Sequence, residues 1–425
     1  MPFIGRRVAF VSCLAAASAG AQVVPVADPA QLIAAINAAQ PGHVITLAPG
    51  TYDVAQNLNC DVGGTPNAPI KVRAAVLGSA VIRFDAVEGF KVSAPHWLFE
   101  NLEIHGVCAV HSDCEHAFHL FGDAEFTRIR DCRLRDFNAQ IKSNVTNGDF
   151  PDDVVIERCE FWDTTARNTS NPVTKIDIVG GRRWKVRANF IHDHEKGQGD
   201  NVSYAAFLKG NSREGLFERN LVICERDHTG GVRLGLSFGG GGSGPDPICE
   251  DGSCTPEHQN GTMRSNLIAH CPADVGIYLN EAANTVLDQN TLIETTGIDV
   301  RFAASTATVR NSLVSGQIRN RDGGTSTLVS NLTGLTLATY DTFFVDPANL
   351  DLTLQDGSQL VDLGAPLPTT RDYCGNLRLA GPPDRGALEY AVAAPCDAAL
   401  PGGGSDLFHD DFETGGHGLW STRQL

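Results

Sequence analysis

The sequence predicts an all-β chain: a single-stranded, right-handed parallel β-helix with a capping helix at its N-terminal end and one Gly-rich loop excursion. The main evidence is a unit that recurs nine times, an apolar-alternating strand, a polar corner residue and a second short strand. It reads FENLEI (99–104), IRDCRL (129–134), IERCEF (156–161) and VRANFI (186–191), then FERNLV, MRSNLI, LDQNTL, VRNSLV and LVSNLT. The corner residues are Asn101, Cys132, Cys159, Asn189, Asn220, Asn266, Asn290, Asn311 and Asn331, with 20 to 46 residues between neighbours. Such short strands cannot bury their own apolar face and must stack on the next repeat. Asn tolerates a left-handed corner, and its amide can bond to the Asn one coil away, so the corners are expected to form a ladder. Composition agrees, because 44 Gly and only 2 Met among 425 residues suit stacked turns better than helices.

The first 21 residues read as a secretory signal: Arg6 and Arg7, an apolar stretch from Val8 to Ala17, and Ala19-Gly20-Ala21 as cleavage site. A lipid anchor on Cys13 is disfavoured by the short apolar run before it and by Phe10. The β-helix domain is placed at 22–390. It opens with DPAQLIAAINAAQPG (28–42), whose helical apolar spacing suits a cap over the open end of a solenoid. VITLAPGTYDV then supplies a first strand and turn. The longest interval holds the Gly-rich segment from Ser237 to Gly261, a loop leaving the coils. Gly239 to Gly242 lack the following Lys-Ser/Thr of a phosphate cradle and read as a flexible hinge. DYCGNLRLAGPPDRGALEY closes the far end, and 391–425 is a linker with a short terminal motif. Apolar runs are too short to span a bilayer, so the mature protein is expected to be secreted, periplasmic or on the cell surface.

The net charge of −17 makes a nucleic-acid partner a poor fit. Of 12 cysteines, Cys13 leaves with the signal. Pairing is expected for Cys108 with Cys114, Cys249 with Cys254 and Cys374 with Cys396, with Cys132 and Cys159 meeting by stacking and one thiol left over. A zinc site is disfavoured, because no C-x-x-C pair occurs.

PGHVITLAPGTYDV, GGTPNAPIKVRA and FENLEIHG resemble the opening coils of the chondroitinase-B and alginate-lyase family, within the pectate-lyase-like superfamily of β-helices. That resemblance implies a polysaccharide substrate, a Lys base, an Arg acid one coil later, and calcium neutralising the uronate carboxylate. AFLKGNSREGLFERN followed by GVRLGLS places Lys209 and Arg233 in a comparable arrangement as the catalytic pair. Where the family carries calcium-ligating glutamates this chain has Ala205 and Phe207, so no cofactor is assigned and calcium stays an open alternative.

Strand alternation gives a second route to the site. Ile141 turns out Gln140 and Lys142; Ile176 and Ile178 turn out Asp177; Leu120 turns out His119. Leu208 turns out Lys209, Leu234 turns out Arg233, and Ile277 with Leu279 turn out Tyr278. Stacked in register, these form one outer row suited to a linear polymer. Abstracting a proton beside a uronate carboxylate needs a base and a cation to stabilise the enolate. Lys142, Lys209 and Arg233 supply the charge, and Tyr278 or His119 can return a proton. His119, Lys142, Asp177 and Tyr278 are candidate substrate contacts, as is His258, which with Glu257 folds over from the excursion. His192-Asp193-His194-Glu195 carries ligand-type residues on a turn. Gly416-His417-Gly418 in the tail is similar to a polygalacturonase motif but lacks its acidic companions. A lyase acting by β-elimination ranks first. An epimerase would share its proton abstraction, and a hydrolase needs two flanking carboxylates where Asp177 stands with Asp299 further along. The alternative from another class is a non-catalytic, glycan-binding or adhesin-like surface protein.

Overall fold

The computed structural model describes residues 21–355, 359–368, 371–378 and 381–390. The signal segment before residue 21, Cys396 and the tail from Ala391 lie outside them. The described chain winds as a parallel β-helix with three faces of 12, 11 and 10 strands. One coil shows the path. Trp97–Glu100 lies on the first face, Glu103–Gly106 on the second and His116–Phe121 on the third, before Arg128–Arg130 starts the next coil on the first face. Pairing is in register, so each inward residue meets its counterpart one coil away. Phe99, Ile129, Ile156, Val186, Phe217, Met263, Leu287 and Val309 form one such inner column, all fully buried. Each such side chain contributes roughly 1.5–3 kcal/mol through burial.

Helix Pro29–Asn37 begins where Asp28 accepts the Gln31 N–H at 2.8 Å and Pro29 presets the first turn. Its buried face, Leu32, Ala35 and Ile36, joins the same core cluster as Val26, Leu47 and Leu58 of the first coils.

The corner between the first two faces uses two consecutive residues. One is left-handed, with φ of 51° to 57° at Asn101, Asp131, Arg158, Ala188, Arg219, Ser265, Gln289, Asn311 and Ser330. The next residue turns inward. Asn189 Nδ2 donates to Asn220 Oδ1 at 3.0 Å, Asn220 to Asn266 at 3.0 Å and Asn266 to Asn290 at 2.9 Å. Each of these amides also bonds backbone: the Asn220 carbonyl accepts the Asn189 N–H at 3.1 Å, and its Nδ2 donates to Val186 O at 2.9 Å. The ladder continues through Ser312, which accepts from Asn290 N, to Asn331. Asn101 and Asn311 are therefore corrected. They take the left-handed position, and Leu102 and Ser312 hold the ladder line one residue later. Left-handed tolerance and amide stacking are two separate demands met by adjacent residues.

Beside the corner, on the outer side of the first face, runs a column that sequence reading missed. Arg73, Glu100, Arg130, Glu157, Arg187, Glu218, Arg264, Asp288 and Arg310 stand in register with strictly alternating charge. Ion pairs form at 2.7 Å for Arg130–Glu100 and Arg187–Glu157, 2.6 Å for Arg264–Glu218 and 2.7 Å for Arg310–Asp288.

Disulfides join Cys108–Cys114 and Cys249–Cys254, and also Cys224–Cys271 on adjacent coils, a pair not foreseen. Cys374 is disulfide-bonded. Cys132 and Cys159 stack but stay as thiols, donating to carbonyls of their own strands, and Cys60 is also free and buried.

The described part of the closing segment packs beside the coils. It lies against the second face, where the outer side chains change from charged to apolar. Phe190, Leu221, Leu267 and Leu313 there cluster with Tyr340, Phe344, Leu352 and Leu360. Tyr340 Oη donates to Leu292 O at 2.6 Å, and Ala387 N to Thr291 Oγ1 at 2.9 Å. Leu328, next in the inner column after Val309, is left 51% exposed.

Asn220→Ala is expected to strip the Asn189 N–H and the Val186 carbonyl on the preceding coil of their side-chain partner and to cost about 1–3 kcal/mol, measured by denaturant unfolding.

Candidate functional site

The third face carries the candidate site. One outward row runs Lys91, His119, Lys142, Asp177, Phe207, Ser237, Tyr278, Asp299 and Arg319. Four residues expected in a common row, His119, Lys142, Asp177 and Tyr278, stand in it. Lys142 Nζ pairs with Asp177 Oδ1 at 2.8 Å. His119 Nδ1 meets Glu88 Oε1 at 2.5 Å, and its Nε2 meets the Asn144 side chain. Glu88 also takes Lys91 at 2.6 Å. Burial of Glu88 opposes its charge, but the bonds from His119 and Lys91 outweigh it and hold the carboxyl at about 2. Glu88 was missed, although EGFKV (88–92) aligns residue for residue with HAFHL (116–120). Tyr278 is nearly buried beside Leu234 and Val275, and its hydroxyl accepts from Arg301 Nη1 at 3.2 Å.

Lys209 occupies the next outward row, two residues beyond Phe207. Its ammonium donates to Gly242 O at 2.9 Å and sits 4.7 Å over the Phe207 ring. No carboxylate contacts it among the described residues. Burial pushes its pKa down, helped by Lys142 and opposed by Asp177 and Glu257.

The Gly-rich excursion walls this end of the site. It is docked, not hinged. Glu250 accepts Gly181 N and Arg182 Nε, each at 2.8 Å, and Asn280 Nδ2 donates to Gly240 O at 2.7 Å. A Cβ on Gly240 would meet the Phe207 ring at 3.0 Å, tighter than an ordinary contact, so glycine eases this close approach of the loop.

Three expectations are corrected. Arg233 does not face outward with Lys209; it is 1% exposed. Its guanidinium binds Gly230 O at 2.7 Å, Cys224 O at 2.5 Å, His228 O at 3.0 Å and Glu195 Oε2 at 2.7 Å. Arg233 is in register with Ser203, six residues along the strand from Lys209, so at about 3.3 Å per residue their backbones lie roughly 20 Å apart. Alternation failed because the strand bends. Ala205 and Ala206 both enter the core and pairing skips Ala205, which reverses the sides of all earlier residues. Gln140 falls at this bend too, and is buried with Nε2 on Trp162 O at 3.0 Å. His258 is also buried, stacked 3.8 Å from Phe238 and accepting Gly215 N–H at 3.3 Å, so it does not reach the outer face.

His192, Asp193 and Asp227 bring ligand atoms within 4.8 Å of one another. Asp193 Oδ1, however, already accepts the backbone N–H groups of Arg226, Asp227 and His228 at 3.0, 3.0 and 3.2 Å, and Arg233 lies 3.8 Å away. This is a loop clamp, in a field set by arginine. At the same bend, Lys175 and Asp163 form a fully buried pair at 2.5 Å.

The fold is a parallel β-helix, and solved structures share it. A pectate lyase crystal structure aligns with TM-score 0.62 and 14% identity, over 88% of this chain and 98% of that one. A rhamnogalacturonan lyase aligns with TM-score 0.47 and 12% identity over 77% and 92%. An alginate lyase from Paenibacillus sp. gives 0.45 and 14% over 74% and 99%. In sequence, Pectate lyase L of Dickeya chrysanthemi is 33% identical over 91 residues, 18% of this chain and 21% of that protein, so the match spans about a fifth of the relative. No family model matches. No helix among the described residues is long and apolar enough to cross a membrane.

Two predictions come from this geometry. Arg233→Ala should cost about 3–5 kcal/mol in denaturant unfolding, because it removes the buried guanidinium that serves the Gly230, Cys224 and His228 carbonyls and leaves Glu195 with His228 alone. Burial lowers His258 to about 3, and burial with His119 and Lys142 lowers His116 to about 4. The unfolded chain takes up these protons near pH 6.5 and the native one does not. Stability should therefore be full above about pH 6.5 and fall as pH drops towards 4, with a shallower slope in His258→Gln when unfolding is measured across that range.

Proposed function

We propose that this is an extracellular polysaccharide lyase that cleaves a uronic-acid-containing polymer by β-elimination. The observation that carries the reading is Lys209, an outward, half-buried ammonium with a depressed pKa and, among the described residues, no carboxylate in contact, beside the Lys142–Asp177 pair. The neutral amine, which burial makes easier to reach, can act as a base. Asp177 fixes the Lys142 ammonium on the row where a substrate carboxylate would lie, and that charge stabilises the enolate. In the step, Lys209 Nζ takes the C5 proton, the C4–C5 double bond forms and the C4–O4 bond breaks. The leaving oxygen takes its proton from water. The in-register row, at about 4.8 Å per coil, supports a linear polymer lying across the strands. Arg233 is held inside the loop clamp and His119 stands three coils before Phe207 in the row, so neither returns the proton in this reading.

The test is ultraviolet absorbance of unsaturated ends on a panel of uronic-acid polymers, with and without calcium. Lys209→Ala should lower kcat by about a hundredfold or more, with folding intact by circular dichroism. Polymer binding without any new absorbance would support the non-catalytic glycan-binding reading instead.

A further inference from the structure

Glu257 lies behind the site, not in it. It is buried, and its two carboxylate oxygens tie together the two backbone segments that frame the Lys209 ammonium. Oε2 accepts the N–H of Gly210, the residue after Lys209, at 2.7 Å. Oε1 accepts the N–H of Ser243, the residue after Gly242, whose carbonyl receives the Lys209 ammonium. Glu257 is anchored in turn by its own N–H on Glu281 O at 2.9 Å, just before His258 re-enters the coils. A single carboxylate thus sets both where Lys209 leaves its strand and where its amine is received.

We propose that Glu257 is a positioning residue for Lys209: it seats the Gly-rich loop so that the Gly242 carbonyl meets the amine, and it places a fixed negative charge behind that amine. This rests on the reading of Lys209 as the base. Asp177, Lys142 and Glu257 are the charged groups that bear on the Lys209 amine, and Gly242 O and the Phe207 ring complete its surroundings. Of the two carboxylates, Asp177 bears more strongly on Lys209 but is engaged by Lys142, and Glu257 adds a second negative charge behind the amine. Glu257 itself is raised by burial against the two N–H bonds that favour its charge. Glu257→Gln withdraws the charge, which favours the neutral amine, and keeps only one of the two N–H bonds, because an amide NH2 cannot accept the other.

The experiment compares Glu257→Gln and Glu257→Asp with the unaltered protein, each checked for an unchanged unfolding midpoint. The first readout uses no substrate: the rate at which an acylating reagent labels the Lys209 amine as a function of pH. Glu257→Gln is expected to move the labelling midpoint to lower pH by roughly half a unit to one unit. Glu257→Asp keeps the charge but cannot span both N–H groups, so its midpoint should stay while kcat falls with KM little changed. The acid limb of the kcat profile should follow the labelling midpoint. A Glu257→Gln midpoint identical to that of the unaltered protein would overturn the proposal. If the midpoint moves while no polymer is ever cleaved, the electrostatic role of Glu257 holds and the lyase reading fails. If cleavage depends on Lys209 but neither variant changes kcat or the midpoint, the lyase reading holds and Glu257 is only structural.

Discussion

In-register parallel stacking is the constraint on which the rest depends. Every residue of a coil lies directly beneath its counterpart, about 4.8 Å away, so a choice made at one position is tested against the same position in the next coil. Apolar residues then build columns such as Phe99 to Val309, buried along their length. Amides build a chain in which each side chain serves the coil before and the coil after. The same rule creates the candidate site. Side chains far apart in sequence, such as Glu88, His119, Lys142 and Asp177, become neighbours because their strands are stacked.

Much of this was legible in the sequence, and the boundary of legibility has a physical cause. The coils showed because the corner motif is local. The row of His119, Lys142, Asp177 and Tyr278 showed because alternation holds over the straight part of each strand. It gave the wrong side for Arg233 and for Gln140, where the strands bend and consecutive alanines face inward at Ala205 and Ala206. A bend adds no composition signal beyond small residues. His258 was misplaced for another reason: the excursion rejoins the coils at His258, before the end at Gly261 that its glycines imply, so His258 is already a core residue. Asn101 and Asn311 slipped by one, because Asn serves equally as a left-handed corner and as a ladder rung.

The excursion shows how a solenoid acquires an individual site on a repetitive wall. Its glycines permit close approach to Phe207, while two buried carboxylates, Glu250 and Glu257, capture backbone N–H groups at the turns that follow two successive site strands. Glycine permits the contact; the carboxylates make it a fixed one. The Lys209 amine consequently sits in a wall rather than on an open sheet, which is what separates it from an ordinary solvated lysine.

The alternating column from Arg73 to Arg310 makes the coils non-equivalent in a way that the asparagine rungs do not. Any Asn rung accepts any other, so the amide chain would tolerate the gain or loss of one coil. The charged column would not: excising the coil of Glu157 would set Arg130 against Arg187. Duplication or deletion in such a solenoid is therefore neutral only in steps of two. The unit of inheritance, and the sensible unit for lengthening or shortening the groove by design, is a pair of coils of opposite sign.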